Sequence, residues 1–453
     1  MNAIFIGFSA IIALVSPFLC FVQARKYTLY TFVFLTIISP ILWGYTATVG
    51  LQIGDFTWSI ADILLVLLLL IAFPLSSQYA WRRNVSFMDF SVLMLVILCL
   101  INIAVGRYRM GSFGGVLTVL RYFMCIPVYF VAVNILSRVE DVKLFYLWIM
   151  RFIIFVFLLH MLIALKIYYP PLSYGLSDRL EYIEYQEFLR SAIYFFEPFY
   201  ITAGCVSLCY IMYASSKKKL AIIALACSAV GALATMTRGI YGGLFLVLLG
   251  VVGLAKGKIR GMVIVLMIVA IVFVAFQIAQ SMGVNLLYRF TGHKMVGQGF
   301  VGGTRWSEFA SIAESFDKAP AALLSGQGFG VMHNPRAARN QRSYFHNDYL
   351  MALYSFGIIG LACFLYLLFS SILRGHMYCK NKEMALLLMP IRLILFATAG
   401  MCIFNSQFWV YKGSALLMVL LAISSNTKCY IQQAYTEEEL LYNFAEGYEL
   451  YAV

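Results

Sequence analysis

Long apolar runs, separated by short polar connections, make up most of the chain. Many of these runs approach or exceed about 18 residues, the length of an apolar helix that crosses a bilayer. A transmembrane β-barrel would instead show alternating segments of about 10 residues. The pattern therefore predicts an all-α polytopic integral membrane protein with about 12–13 transmembrane helices. The predicted spans are residues 2–22, 27–49, 59–79, 88–105, 114–135, 144–166, 196–214, 219–235, 240–255, 261–281, 346–372, 385–405 and 410–427.

Composition agrees with this class and limits the partners. Hydrophobic residues fill 62% of the 453 positions, and charged residues fill only 12%. The net charge is +13, but basic residues between membrane helices usually set topology, so we predict no nucleic-acid partner. The ten cysteines are scattered without a CxxC pair or a Cys/His spacing, which predicts no metal site.

Clusters of Lys and Arg orient the predicted spans. All of them fall in odd-numbered connections, counted from the first span, and the positive-inside rule makes those connections cytoplasmic. The clusters lie within residues 25–26, 82–83, 138–143, 217–219, 256–260 and 374–382. The even-numbered connections then face outward. This topology places the N-terminus outside, and twelve spans is the alternative.

The longest polar interval, residues 302–361, organises the chain. It divides the sequence into N-terminal membrane helices (1–281), a long extracytoplasmic loop with short helices (282–345), C-terminal membrane helices (346–428) and a polar cytoplasmic tail (429–453). Within it, the glycines of GQGFG (326–330) follow no strand and open no βαβ unit, so a phosphate loop is a weak interpretation.

Arginines on the outward side run against the positive-inside rule. The ones that we select are Arg190, Arg238, Arg305 and Arg342; Arg107 and Arg109 are also outward. Taken singly, Arg238 can be a snorkelling side chain, Arg305 can belong to a helix that anchors on the surface, and Arg342 can face anionic lipid. Taken together, planar guanidinium groups that converge from separate loops suit the diphosphate of a lipid.

Three acidic or titratable residues lie beside these arginines. His346 opens HNDYL at the start of a span, where an imidazole can exchange a proton near neutral pH. Its plain alternative is an interfacial histidine, with Asn347 or Asp348 as the helix cap. Glu197 follows Arg190 in RSAIYFFEPF, and the plain alternative there is an ion pair or simple interfacial charge.

The order and placement of these segments resemble the O-antigen polymerase and ligase family. The matching segments are Arg305, GQGFG (326–330), HNDYL (346–350), GIIG (357–360), TMTRG (235–239), RSAIYFFEPF (190–199) and QIGDFTWSIADILLVLLLL (52–70). The resemblance covers most of the chain from about residue 50 to about residue 420.

This resemblance implies an integral membrane glycosyltransferase with a GT-C-like helical fold. It would act on the outer side of the bacterial cytoplasmic (inner) membrane, on undecaprenyl-diphosphate-linked oligosaccharides, without a nucleotide sugar, metal or other cofactor. A chain-length regulator protein is a candidate partner, and membrane lipid surrounds the chain. The family's ligases commonly carry an NPN-like segment where this chain has Phe196, Glu197 and Pro198, which favours a polymerase of O-antigen, capsule or exopolysaccharide over an O-antigen ligase.

The implied mechanism gives each selected residue a role. Arg190, Arg238 and Arg305 would hold the donor's diphosphate, with Arg342 as a further contact. His346 would take the proton of the acceptor hydroxyl, Asp348 would orient His346, and Glu197 would orient an arginine or the acceptor. A transporter or flippase of lipid-linked sugars is a rival, but the sequence shows no paired halves and its polar residues gather at one face. A receptor or assembly protein is the second rival.

Overall fold

A computed structural model gives the fold. It describes residues 29, 30, 33, 50–53, 56–59, 66, 85–111, 114–165, 167, 197–235, 238–254, 303–331, 345, 347–378, 382–403 and 411–434, with scattered positions between 262 and 281. The predicted spans 2–22, 27–49, 59–79 and 261–281 lie wholly or largely outside the described residues, as does most of the predicted tail.

Helices dominate the described chain. They are α1 (Phe87–Met110), α2 (Gly114–Phe123), α3 (Val128–Ile135), α4 (Val139–Ala164), α5 (Glu197–Tyr213), α6 (Lys218–Ala234), α7 (Arg238–Leu254), α8 (Gly303–Lys318), α9 (Ala322–Ser325), α10 (Asp348–Tyr378), α11 (Lys382–Met401), α12 (Tyr411–Ser425) and α13 (Thr427–Ala434). Helices α8 and α9 fall within residues 282–345, where the sequence predicts a long loop with short helices.

One β-hairpin departs from the all-α prediction. Strand β1 (Gly50–Ile53) pairs antiparallel with β2 (Phe56–Ser59), and Leu51 lies opposite Trp58. The sequence pattern assigned residues 50–58 to a connection between two spans and began the next span at Ser59. β-Branched and aromatic residues such as Ile53, Phe56 and Trp58 favour strands, so a connection of this composition forms a hairpin rather than an irregular turn.

The helices include several that are long and apolar enough to cross a membrane. Five qualify: Phe87–Met110, Gly114–Ile135, Val139–Ile163, Asp348–Arg374 and Lys382–Met401. A sixth forms if Gly413–Ser425 and Thr427–Gln433, which are bent by 50° at their junction, count as one span. The chain is therefore a multi-pass helical membrane protein, as predicted. The total of about 12–13 spans stays a prediction, because the described residues cover only part of the chain.

Contacts between helix ends show that the helices alternate in direction. At one end, which we call the basic end, Ser86 before α1 lies 3.1 Å from Ser425 at the end of α12, Oγ to Oγ. Lys143 near the start of α4 forms an ion pair with Glu383 at the start of α11 at this same end. These positions adjoin the basic clusters that predict the cytoplasmic connections.

At the opposite end, which we call the loop end, the polar interval meets the bundle. The Phe329 N–H donates to the Asn102 carbonyl near the end of α1, at 2.9 Å. The Asp348 N–H at the start of α10 donates to the Cys402 carbonyl just after α11, at 3.0 Å. Since α1 and α11 both begin at the basic end, they run parallel, and α10 returns between the ends in the opposite direction.

The glycine strap, residues 326–330, lies between α1, α2 and α10. Gly326, Gly328 and Gly330 adopt φ values of 101°, 95° and 82°, which glycine adopts readily. A Cβ atom on Gly326 would lie 2.1 Å from the Ser355 carbonyl oxygen in α10. A Cβ atom on Gly106 in α1 would lie 2.1 Å from the Phe329 carbonyl oxygen. The glycines of GQGFG therefore permit close packing of backbones, which is the structural role that the sequence left unassigned.

Asn102 fixes the strap to α1. Its Nδ2 donates to the Ser325 carbonyl at 2.8 Å, and its Oδ1 accepts from the Gly328 N–H at 2.9 Å. The Phe329 ring then stacks on Phe123 of α2, with 5.2 Å between the ring centroids. Because a buried amide and an aromatic ring both need specific partners, the strap has one well-defined position in the bundle.

We predict that Gly106→Ala destabilises the protein although alanine favours helices. The new methyl group would enter the position of the Phe329 backbone, and such overpacking typically costs about 1–3 kcal/mol. Gly242→Ala in α7 is the matched control, because a Cβ atom there meets nothing within 4 Å. Thermal unfolding in detergent measures both variants, and equal unfolding temperatures would contradict the close approach.

A second prediction concerns which end faces the cytoplasm. Lys218 at the start of α6 and Lys318 at the end of α8 are both exposed, and the positive-inside rule places only Lys318 outside. An impermeant thiol reagent on intact cells should therefore label Lys318→Cys and spare Lys218→Cys, with the unchanged chain as the blank. The opposite labelling would reverse the topology.

Candidate functional site

The structure places the predicted site residues to different extents. Three of the seven lie outside the described residues: Arg190, Arg342 and His346. Three are described in their main chain only: Glu197, Arg238 and Arg305. Asp348 is described in full, begins α10 and is completely buried.

Three of these residues begin helices at the loop end. Glu197 begins α5, Arg238 begins α7 and Asp348 begins α10. A Cβ atom on Gly243, near the start of α7, would lie 2.3 Å from Sδ of Met401 and would also contact Ile201 near the start of α5. Because Met401 ends α11 at the loop end, α5 and α7 begin at that end too. The amino ends of helices carry partial positive charge, which favours anions.

Asn347 is the cap of α10, which confirms one of the two predicted alternatives for the cap. Its Oδ1 accepts from the N–H groups of Tyr349 and Leu350, at 2.9 and 3.0 Å. Its Nδ2 donates to the Ile403 carbonyl at 3.0 Å, which ties the helix start to the end of α11. The side-chain amide oxygen of Asn347 is therefore used by the helix start.

Tyr354 in α10 contacts both ends of the polar segment 332–344. Its hydroxyl donates to the Val331 carbonyl at 3.4 Å. Its ring packs against Phe345, with 5.0 Å between centroids and a 59° tilt. Val331 and Phe345, which flank segment 332–344 in the sequence, therefore both contact Tyr354 at the loop end.

A polar cluster lies beside Tyr354. Arg109 Nη1, in the last turn of α1, donates to the Gln327 carbonyl at 3.0 Å and to its Oε1 at 2.6 Å. Gln327 Nε2 donates to the Ser315 carbonyl of α8 at 2.8 Å, and the Gln327 N–H donates to the Tyr354 carbonyl at 2.9 Å. One buried glutamine therefore joins α1, α8 and α10. Arg109 is among the outward arginines of the sequence, but none of the motifs includes it, so the predicted site does not contain it.

Two further polar residues were missed by the sequence. Arg392 lies in the middle of α11 and is 6% exposed; charged residues at such depth in membrane helices are costly and usually functional. The signal was present in the sequence, as a single arginine within an apolar run. His160 of α4 accepts a hydrogen bond from or donates one to the Tyr200 hydroxyl, and their rings stack at 5.3 Å. This pair fixes the first turn of α5, three residues after Glu197.

Metal chemistry has no candidate ligands in the described part of the chain, where no group of three or more His, Cys, Asp or Glu side chains is placed to hold an ion. The chain matches no protein-family model, and the comparison with curated proteins gives no match either.

Proposed function

We propose that this chain is a GT-C-like membrane glycosyltransferase that polymerises undecaprenyl-diphosphate-linked oligosaccharide repeat units. It would act on the outer side of the bacterial cytoplasmic membrane. The observation that carries the proposal is the convergence at the loop end. The helix starts at Glu197, Arg238 and Asp348 lie at this end, as do Val331 and Phe345, which flank segment 332–344 and contact Tyr354. These are the motifs on which the resemblance to the polymerase and ligase family depends.

The loop end suits a lipid-linked diphosphate. The isoprenyl chain would lie along the exposed apolar faces of the spanning helices, and the diphosphate would then reach the level at which those helices begin. Arg190, Arg238, Arg305 and Arg342 supply guanidinium groups that bind phosphate oxygens in pairs. As the diphosphate leaves, its growing negative charge is stabilised by these groups and by the amino ends of α5 and α7.

His346 is the proposed general base. The acceptor hydroxyl loses its proton to His346 as its oxygen attacks the anomeric carbon of the donor. The bond from that carbon to the phosphate oxygen breaks, and undecaprenyl diphosphate leaves with the electron pair. A single displacement inverts the configuration of the carbon. Asp348, two residues along the chain and buried, orients the imidazole, and Glu197 orients an arginine or the acceptor.

The fixed surroundings of the loop support this assignment. Phe345 and Asn347, on either side of His346, are both buried and both contact α10 or α11. A base that must sit within hydrogen-bond distance of an acceptor hydroxyl needs such support, because small displacements of catalytic groups cost large factors in rate.

A flippase for the same lipid-linked oligosaccharide is the second candidate. Arg392 favours it, since a buried arginine at the middle of a span marks substrate pathways in transporters. The two functions separate in one assay: purified protein in nanodiscs with lipid-linked repeat unit as the sole substrate. A polymerase lengthens the glycan, and a flippase leaves its length unchanged.

We predict that His346→Gln strongly reduces polymer formation while donor binding and folding persist. Loss of a positioned base typically costs about 10²–10⁴-fold in rate. The remaining activity should also lose the decline at acidic pH that protonation of the imidazole causes in the wild type. Product length on a gel across pH measures both effects, and His333→Gln in the same polar interval is the matched control. Polymer at the wild-type rate across that pH range would make His346 an interfacial residue, with Glu197 as the next candidate base.

We also predict that Arg238→Ala and Arg305→Ala each reduce activity strongly without loss of expression. Each removes a pair of charge-assisted hydrogen bonds to phosphate, and lysine at either position should rescue only in part, because its ammonium is a point donor. Arg138→Ala, at an exposed position of the basic end, is the control. Normal polymer from both loop-end variants would remove these arginines from the site.

A further inference from the structure

We propose that Arg109 is an additional phosphate-binding residue, held in place by Gln327, that contacts the diphosphate of the lipid-linked donor. The inference rests on the proposed function for the identity of the donor. It extends the site to the end of α1, a helix that none of the motifs includes.

The guanidinium of Arg109 is only partly used by the protein. Its Nη1 makes both of the hydrogen bonds to Gln327, one to the carbonyl and one to Oε1. A guanidinium has five N–H groups, of which Nη1 carries two. Three N–H groups therefore remain, on Nε and Nη2. Nε and Nη2 form one planar edge, which matches two oxygens of a phosphate.

Gln327 makes the position of this edge definite. The side chain is 2% exposed, and every one of its polar groups has a partner: Ser315 accepts from Nε2, and Arg109 donates to Oε1. Its backbone N–H and carbonyl are bonded to Tyr354 and Arg109. Because Gln327 is held by these partners, the Arg109 side chain bonded to it loses little conformational freedom when a ligand binds. This preorganisation favours binding.

The surroundings of Arg109 leave its charge available. The residue is exposed, and among the described residues it forms no ion pair and no hydrogen bond beyond the two to Gln327. Gln327 joins Arg109 to Tyr354, the residue that Val331 and Phe345 both contact at the loop end.

A purely structural role for Arg109 would not require a free edge on its guanidinium. Attraction to the carboxyl end of α1 can be supplied by Arg107 as well, because both lie in its last turn. The bonds to Gln327 hold the strap, but a lysine or a neutral donor could supply them. The free planar edge of Arg109 at the loop end suits an anion that presents two or more oxygens. Membrane phospholipid headgroups and the donor diphosphate share this chemistry.

The experiment measures binding directly. Full-length protein in phosphatidylcholine nanodiscs is titrated with a short-chain isoprenyl diphosphate, and the corresponding isoprenyl alcohol serves as the blank. We expect Arg109→Gln to weaken binding about tenfold or more, as loss of a charge-assisted hydrogen bond does. The affinity of Arg109→Lys should lie between those of Arg109→Gln and the wild type. Arg107→Gln should bind like the wild type. Thermal unfolding of each variant reports whether the strap is intact.

The outcomes distinguish a phospholipid headgroup from the donor diphosphate as the bound group. They also distinguish failure of this inference from failure of the proposed function. Wild-type affinity in Arg109→Gln, or in a folded Arg109→Lys if the first does not fold, overturns the inference. Equal competition by phosphatidylglycerol assigns the edge to lipid headgroups and overturns the donor assignment. If binding depends on Arg109 but lipid-linked repeat units are never lengthened, the polymerase proposal fails while the diphosphate site stands.

Discussion

The close contact between the glycine strap and α1 is the constraint on which the loop end depends. Backbone meets backbone at Gly106 and Phe329, and Asn102 holds the strap with hydrogen bonds on both sides of its amide. Gln327 can bond to α1, α8 and α10 only because the strap lies in this position. The strap in turn meets the helix that begins at Asp348, where Gly326 approaches the Ser355 carbonyl and the Gln327 N–H donates to the Tyr354 carbonyl.

The sequence predicted the parts of the fold that follow from local pattern. Apolar runs identified the five helices that can span a membrane within the described part of the chain. Lys and Arg clusters indicated helix directions that the contact between Lys143 and Glu383 agrees with. Asn347 was one of two candidates for the cap of α10, because asparagine before a helix accepts from its first N–H groups. Each of these signals acts within a few residues of the chain, so a single sequence contains it.

Other features depend on residues that are far apart in the chain. The strap glycines looked like a weak phosphate motif, and their real requirement is the presence of α1, more than two hundred residues earlier. The role of Gln327 could not be inferred, because its partners lie on three helices. Arg392 is different, because its position within an apolar run is visible in the sequence itself.

Tyr354 has a consequence for how this protein can vary. Val331 and Phe345, which flank segment 332–344, both contact Tyr354. The length and composition of that segment can therefore change while these two points of attachment stay the same distance apart. The energetic cost of closing a longer segment grows only slowly with length. The membrane bundle then acts as a constant platform, and in the polymerase proposed above a related chain would change its sugar by exchanging this segment alone.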